Sequence, residues 1–160
     1  MRTIISLTGS LVLLAACSPQ PEALDAVRAA AVSDSVRAEA DIIANDVVRN
    51  GPNGWMPHFA DSAFYMVNDG AVVFPSYDSA ATFVANLARG VDHMELVWSD
   101  VRVTPLAPGL ATLGAAYNES VTDTAGQTIS FGGYMTATMV HRAAGWRIQN
   151  LHWSSPTDNP

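Results

Sequence analysis

The stretch GWRIQNLHWS, Gly145–Ser154, closes the chain and decides how the rest is read. Alternate side chains of a strand point to opposite faces, so Trp146, Ile148, Asn150 and His152 share one face. That face begins apolar and ends polar. It predicts a strand whose inner side first packs a core and then borders a pocket, with Leu151 and Trp153 turned outward.

Upstream, three more segments read as strands: 93–103, 111–122 and 128–141. The runs PLAPG, DTAG and RAAG separate them with turn chemistry. By the same alternation, Ala111, Leu113, Ala115, Tyr117, Glu119 and Val121 face inward, as do Ile129, Phe131, Met135, Ala137 and Met139. Leu96, Trp98 and Tyr134 fall on the outward side with Leu151 and Trp153. Before these strands, FYMVNDGAVVF (Phe64–Phe74) predicts a hairpin, because two β-rich runs flank Asn-Asp-Gly. SYDSAATFVANLARG predicts a helix that Ser76 or Asp78 can cap and Gly90 ends.

Leu24, Val27, Ala31, Val36, Ile43 and Val47 recur near helical spacing, with Ser33–Ser35 offering a split into two helices and NGPNG (Asn50–Gly54) stopping the run. The order helix, helix, hairpin, helix, four long strands predicts an α+β layer architecture. It resembles the nuclear transport factor 2-like superfamily, and within it the SnoaL-like branch. The resemblance covers about 26–155 and rests on HFADSAFYM (His58–Met66), which matches the family's helix-to-strand passage, and on GWRIQNLHWS. It implies a cone: a curved antiparallel sheet of about six strands wrapped over three helices. Relatives include isomerases, cyclases and dehydratases that work through polar groups inside the cone, and many dimerise through the outward sheet face.

The first residues resemble a bacterial lipoprotein signal. Arg2 is a short positive start, Ile4–Leu14 is largely apolar, and LAAC (Leu14–Cys17) matches the lipobox. The run is shorter than the roughly 20 residues of a membrane span. Residues 1–16 are therefore expected to be cleaved, Cys17 to be lipidated, 17–25 to form a proline-stiffened tether, 26–155 to form one domain and 156–160 a tail. Ser18 resembles lipoproteins sent on to the outer membrane, which implies residence in the cell envelope on its periplasmic face.

The 160 residues carry 8 Lys+Arg against 15 Asp+Glu, for a net charge of −7. Loss of Arg2 makes it one unit more negative. Such a surface does not favour nucleic acid or anionic lipid, so membrane residence falls to the anchor. There is no lysine, which excludes Schiff-base chemistry, and the single cysteine lies in the processing signal.

The expected pocket gathers Tyr117, Glu119, Met135, Asn150 and His152. A carboxylate beside a histidine in an apolar cavity permits acid/base work, which makes Glu119 and His152 the candidate catalytic pair. His93 and Glu95 share a strand face, but no third metal ligand accompanies them. His58 and His141 fall in a loop and at a turn. No cofactor motif is found. Three functions stay open: a lipoprotein binding a small apolar or amphiphilic molecule in the cone, a cofactor-independent isomerase, dehydratase or hydrolase using His152 and Glu119, and a homodimeric interaction module using Leu96, Trp98, Tyr134, Leu151 and Trp153.

Overall fold

The computed structural model describes residues 24–156; Cys17 and the signal lie outside them. Helix α1 (Ala26–Asn50) starts at Asp25, whose side chain accepts the amide of Arg28. It buries Val32, Val36, Ala40, Ile43 and Val47, a stripe with steps of four and three residues. Ile43 and Val47 are fully buried, and each such side chain contributes about 1.5–3 kcal/mol. The expected split at Ser33–Ser35 does not occur. The Ser35 hydroxyl donates to the Val32 carbonyl one turn back, 2.9 Å away, and so stays inside the helix instead of capping a new one.

A 3-10 turn, Gly51–His58, follows in place of a second α-helix. It doubles back against the end of α1 so closely that a Cβ on Gly54 would collide with the Asp46 carbonyl. Strands β1 (Tyr65–Asn68) and β2 (Ala71–Phe74) then form the hairpin. Asp69 and Gly70 both have positive φ, 46° and 84°, as a twist-matched two-residue turn requires. Helix α2 (Tyr77–Leu87) is capped by Ser76, in a capping box closed by Ser79.

The long strands are β3 (Val91–Ala107), β4 (Leu110–Asp123), β5 (Thr128–Arg142) and β6 (Gly145–Ser154). With the hairpin they make one six-stranded sheet ordered β2-β1-β6-β5-β4-β3. It is mixed, not wholly antiparallel, because β1 runs parallel to β6. α1 lies on its inner face. Trp98 donates its indole N–H to the Ala40 carbonyl at 2.9 Å, and Trp146 donates to the Ser35 hydroxyl at 3.0 Å. These two bonds set the helix direction: its middle crosses β3 and its first half lies at the β5–β6 turn, so its C-terminal end points to the opposite end of the cone.

Two irregularities rearrange the faces expected from strict alternation. In the β5–β6 ladder Thr138 pairs with Asn150 but Met139 pairs with Ile148, so Gln149 is an extra residue on β6. Such a bulge reverses every later side chain. Trp146 and Ile148 are buried as expected, at 5% and 0% exposure, but beyond the bulge Leu151 and Trp153 turn inward while Asn150 and His152 turn outward. On β3, Leu96 and Trp98 lie directly opposite Glu119 and Tyr117 of β4. Direct cross-strand partners share a face, so Leu96 and Trp98 are inward as well. A further shift between Ser99 and Arg102, with Asp100 at φ 50°, keeps Val101 and Val103 on the inner side.

Candidate functional site

The inner face at the C-terminal end of α1 encloses a cavity of about 510 Å³. Its walls come from every layer: Pro52, Trp55 and Phe59 from the 3-10 segment and its exit, Met66 and Phe74 from the hairpin, Phe83, Val84 and Leu87 from α2, and Met94, Tyr117, Glu119, Phe131, Leu151 and Trp153 from the long strands. The aromatic side chains form a connected cluster. Tyr117 and Trp153 have ring centroids 4.1 Å apart, Trp55 meets Trp153 at 5.6 Å, and Phe59 stacks on Phe64 at 4.3 Å. Rings at these separations supply both burial and favourable edge and offset geometry. Four lining residues stay substantially exposed, Phe83, Phe131, Val73 and Leu87, so the mouth is apolar too.

Glu119 is the ionisable carboxyl of this cavity. It is 5% exposed, and burial alone pushes its pKa up from 4.5 to about 7. Tyr117 beside it is also raised, first by burial, against a lowering hydrogen bond with Ser155 and with a smaller push from the Glu119 charge. Ser155 is fixed in turn by its backbone N–H, which donates to Asp69 at 2.8 Å, so the hairpin turn pins the end of β6 at the cavity. The Trp153 indole N–H is fully buried with no hydrogen-bond partner among the described residues. Trp55 and Trp98 meet its ring at 69° and 63°, an arrangement in which ring faces can accept an N–H weakly.

The residues expected in the pocket therefore divide. Tyr117 and Glu119 line the cavity, and Met135 is buried on the same inner face at 1% exposure. Asn150 and His152 do not join them. They border a trough of about 590 Å³ on the outer face with Tyr65, Arg102, Thr104, Thr112, Thr136 and Thr138. The sheet itself separates His152 from Glu119, so the expected acid/base pair is not assembled. Of the five residues expected on the outward face, Tyr134 lies there, at 61% exposure, whereas Leu96, Trp98, Leu151 and Trp153 pack inward. His93 and Glu95 meet at 3.5 Å on exposed ground, and among the described residues no group of three or more metal-ligating side chains converges.

His58, expected in a loop, is a structural element of the fold. It is 4% exposed, with Nδ1 2.8 Å from Glu39 and Nε2 3.0 Å from Asp46. Both ring nitrogens lie within hydrogen-bond distance of a carboxyl group on α1, so the imidazole clamps the 3-10 turn to the helix. The signal was the pair Glu39 and Asp46, seven residues apart and so on one side of α1. This clamp and the close approach at Gly54 hold Trp55 against the cavity.

No family model and no curated protein matches the sequence. Solved structures do match in shape. A nuclear transport factor 2-like superfamily protein from Salmonella enterica serovar Typhimurium LT2 superposes with a TM-score of 0.67 at 14% identity, over 82% of this chain and 95% of that one. The chain has the nuclear transport factor 2-like fold. A protein of this fold from Pseudomonas putida KT2440, of unknown function, gives 0.65 at 15% identity over 81% and 90% of the two chains. One from Novosphingobium aromaticivorans, provisionally assigned as a scytalone dehydratase, gives 0.69 at 8% identity over 80% and 86%. The cavity described above lies on the inner face of this sheet, and the buried Trp146 and Ile148 are not among its lining residues.

Proposed function

We propose that this chain is an envelope-anchored protein of the SnoaL-like kind that binds a small apolar or amphiphilic molecule in the cone. The supporting observation is the cavity itself: about 510 Å³ of mainly aromatic and aliphatic wall with a few convergent polar groups, Glu119, Tyr117, Asn68 and Ser155. The apolar mouth favours entry of an apolar body. Anchoring rests on the LAAC motif, and a Cys17→Ser variant is expected to lose lipid labelling and membrane association. On the outer face Val97 and Tyr134 are both about 60% exposed, and this is the surface that a second copy would cover in a homodimer.

The test is native mass spectrometry of protein purified gently from its own host. A small molecule should accompany the wild type and be lost from Phe131→Asp, which places a charge in the wall at a position exposed enough to accept one. A folded wild type that is consistently empty would refute the binding reading.

A second reading has one observation in its favour. A carboxyl titrating near neutrality is suited to general acid/base catalysis, because both protonation states are populated at working pH. An isomerase or dehydratase here would use Glu119 with Tyr117, not with His152. Glu119→Gln would then abolish turnover while leaving the ligand bound.

A further inference from the structure

The cone cavity has an acidic group on its wall and no basic one. None of its lining residues is Arg or His, and the chain contains no lysine at all. Glu119 is 95% removed from solvent, and no hydrogen bond or charge from the described residues offsets its desolvation. A carboxylate in that position is costly unless a cation reaches it. The described lining residues supply none, so above the pH at which the carboxyl gives up its proton a cationic ligand would be its counter-charge.

The rest of the wall suits the same charge. Trp55, Tyr117 and Trp153 form a preassembled aromatic corner, with centroid separations of 5.6 Å and 4.1 Å, and Phe74 and Phe131 line the cavity beyond it. Aromatic faces carry the negative lobe of the ring quadrupole and attract a desolvated cation by about 0.5–2 kcal/mol each. The overall charge of −7 raises the local concentration of cations near the surface. An anionic ligand would meet Glu119 with no counter-charge in the wall.

We propose that the cone is an aromatic cage for an organic cation, an amine or quaternary ammonium on an apolar body, with Glu119 as its counter-ion. This rests on the reading of the cone as a binding site and names the ligand class for it. The apolar body would occupy the aromatic and aliphatic wall towards Phe131 and the exposed mouth.

The experiment uses two probes of one shape: benzyltrimethylammonium and its uncharged isostere neopentylbenzene. Binding to the purified full chain is followed by the fluorescence of Trp55 and Trp153 in the wall. At slightly alkaline pH the cation should bind at least about tenfold more tightly than the isostere. Glu119→Gln should erase most of that preference without weakening neopentylbenzene. Phe131→Leu, at a position 40% exposed and therefore tolerant, should cost the cation severalfold more than the isostere. If neopentylbenzene binds as well as the cation, or if the preference survives Glu119→Gln, the cation assignment is overturned while the apolar cavity stands. If neither probe binds, the binding reading falls with it.

Discussion

Replacing Glu119 with glutamine should make the protein more stable at alkaline pH. An unfolded glutamate ionises near 4.5, whereas in the cone the same carboxyl holds its proton to about 7. Between those values the native state binds more protons than the unfolded one, so stability falls as pH rises. The stabilising difference is fully present below 4.5, is lost progressively across the window, and is flat above it. At about 1.4 kcal/mol per unit, the gap between 4.5 and about 7 corresponds to about 3–4 kcal/mol at most, of which about 2–3 kcal/mol lies between pH 5 and pH 8.

Urea unfolding at those two pH values measures it directly. The informative quantity is the difference between wild type and Glu119→Gln, in which contributions of all other groups cancel. A glutamine amide carries no charge at either pH, and any penalty for burying it cancels in the comparison. With a denaturant slope of about 1–3 kcal/mol/M, the midpoint of the variant should gain on the wild type by about 1–2 M between pH 5 and pH 8. Parallel pH profiles in the two proteins would show that Glu119 is solvated or paired in solution, and both the acid/base reading and the cation cage would lose their foundation.

His58→Ala should cost about 3–5 kcal/mol, because it leaves Glu39 and Asp46 as partly buried carboxylates without their common partner; a urea midpoint within error of wild type would show that the clamp is absent. Gly54→Ala should destabilise by about 1–3 kcal/mol through collision with the Asp46 carbonyl, and should disturb tryptophan fluorescence because Trp55 is next to it. Leu151→Ala should cost about 2–5 kcal/mol while His152→Ala stays within about 0.5 kcal/mol; the reverse order would put the bulge at Gln149 in doubt.

The fold was legible because its signals are local and redundant. Asn-Asp-Gly between two β-rich runs specifies a hairpin wherever it falls, and Pro52 stops α1 at the predicted place, with the helix ending at Asn50. β4 was legible too, since its alternation runs unbroken from Ala111 to Val121, and it placed Tyr117 and Glu119 on the inner face from sequence alone. The turn of the chain at Gly51–His58 was not. Its geometry depends on a collision-free glycine and on a histidine held by two carboxyl groups from another element, and the only trace of this in the sequence is the seven-residue spacing of Glu39 and Asp46.

The site failed to read at one residue, and that residue determines what the cavity contains. Asn150 and His152 share the periodicity of Trp146 and Ile148, so strict alternation assembles a polar dyad with Glu119. Gln149 adds half a period. Beyond it the greasy members of the pattern, Leu151 and Trp153, go in, and the polar ones go out to the threonine-lined trough. The register separates Glu119 from His152 as well: Glu119 pairs with Phe131 on β5, whereas His152 pairs with Thr136. With the bulge Glu119 has indole and phenol rings and no cation. The bulge therefore sends His152 out and Trp153 in, and leaves Glu119 beside an aromatic wall that the proposed organic cation would complete.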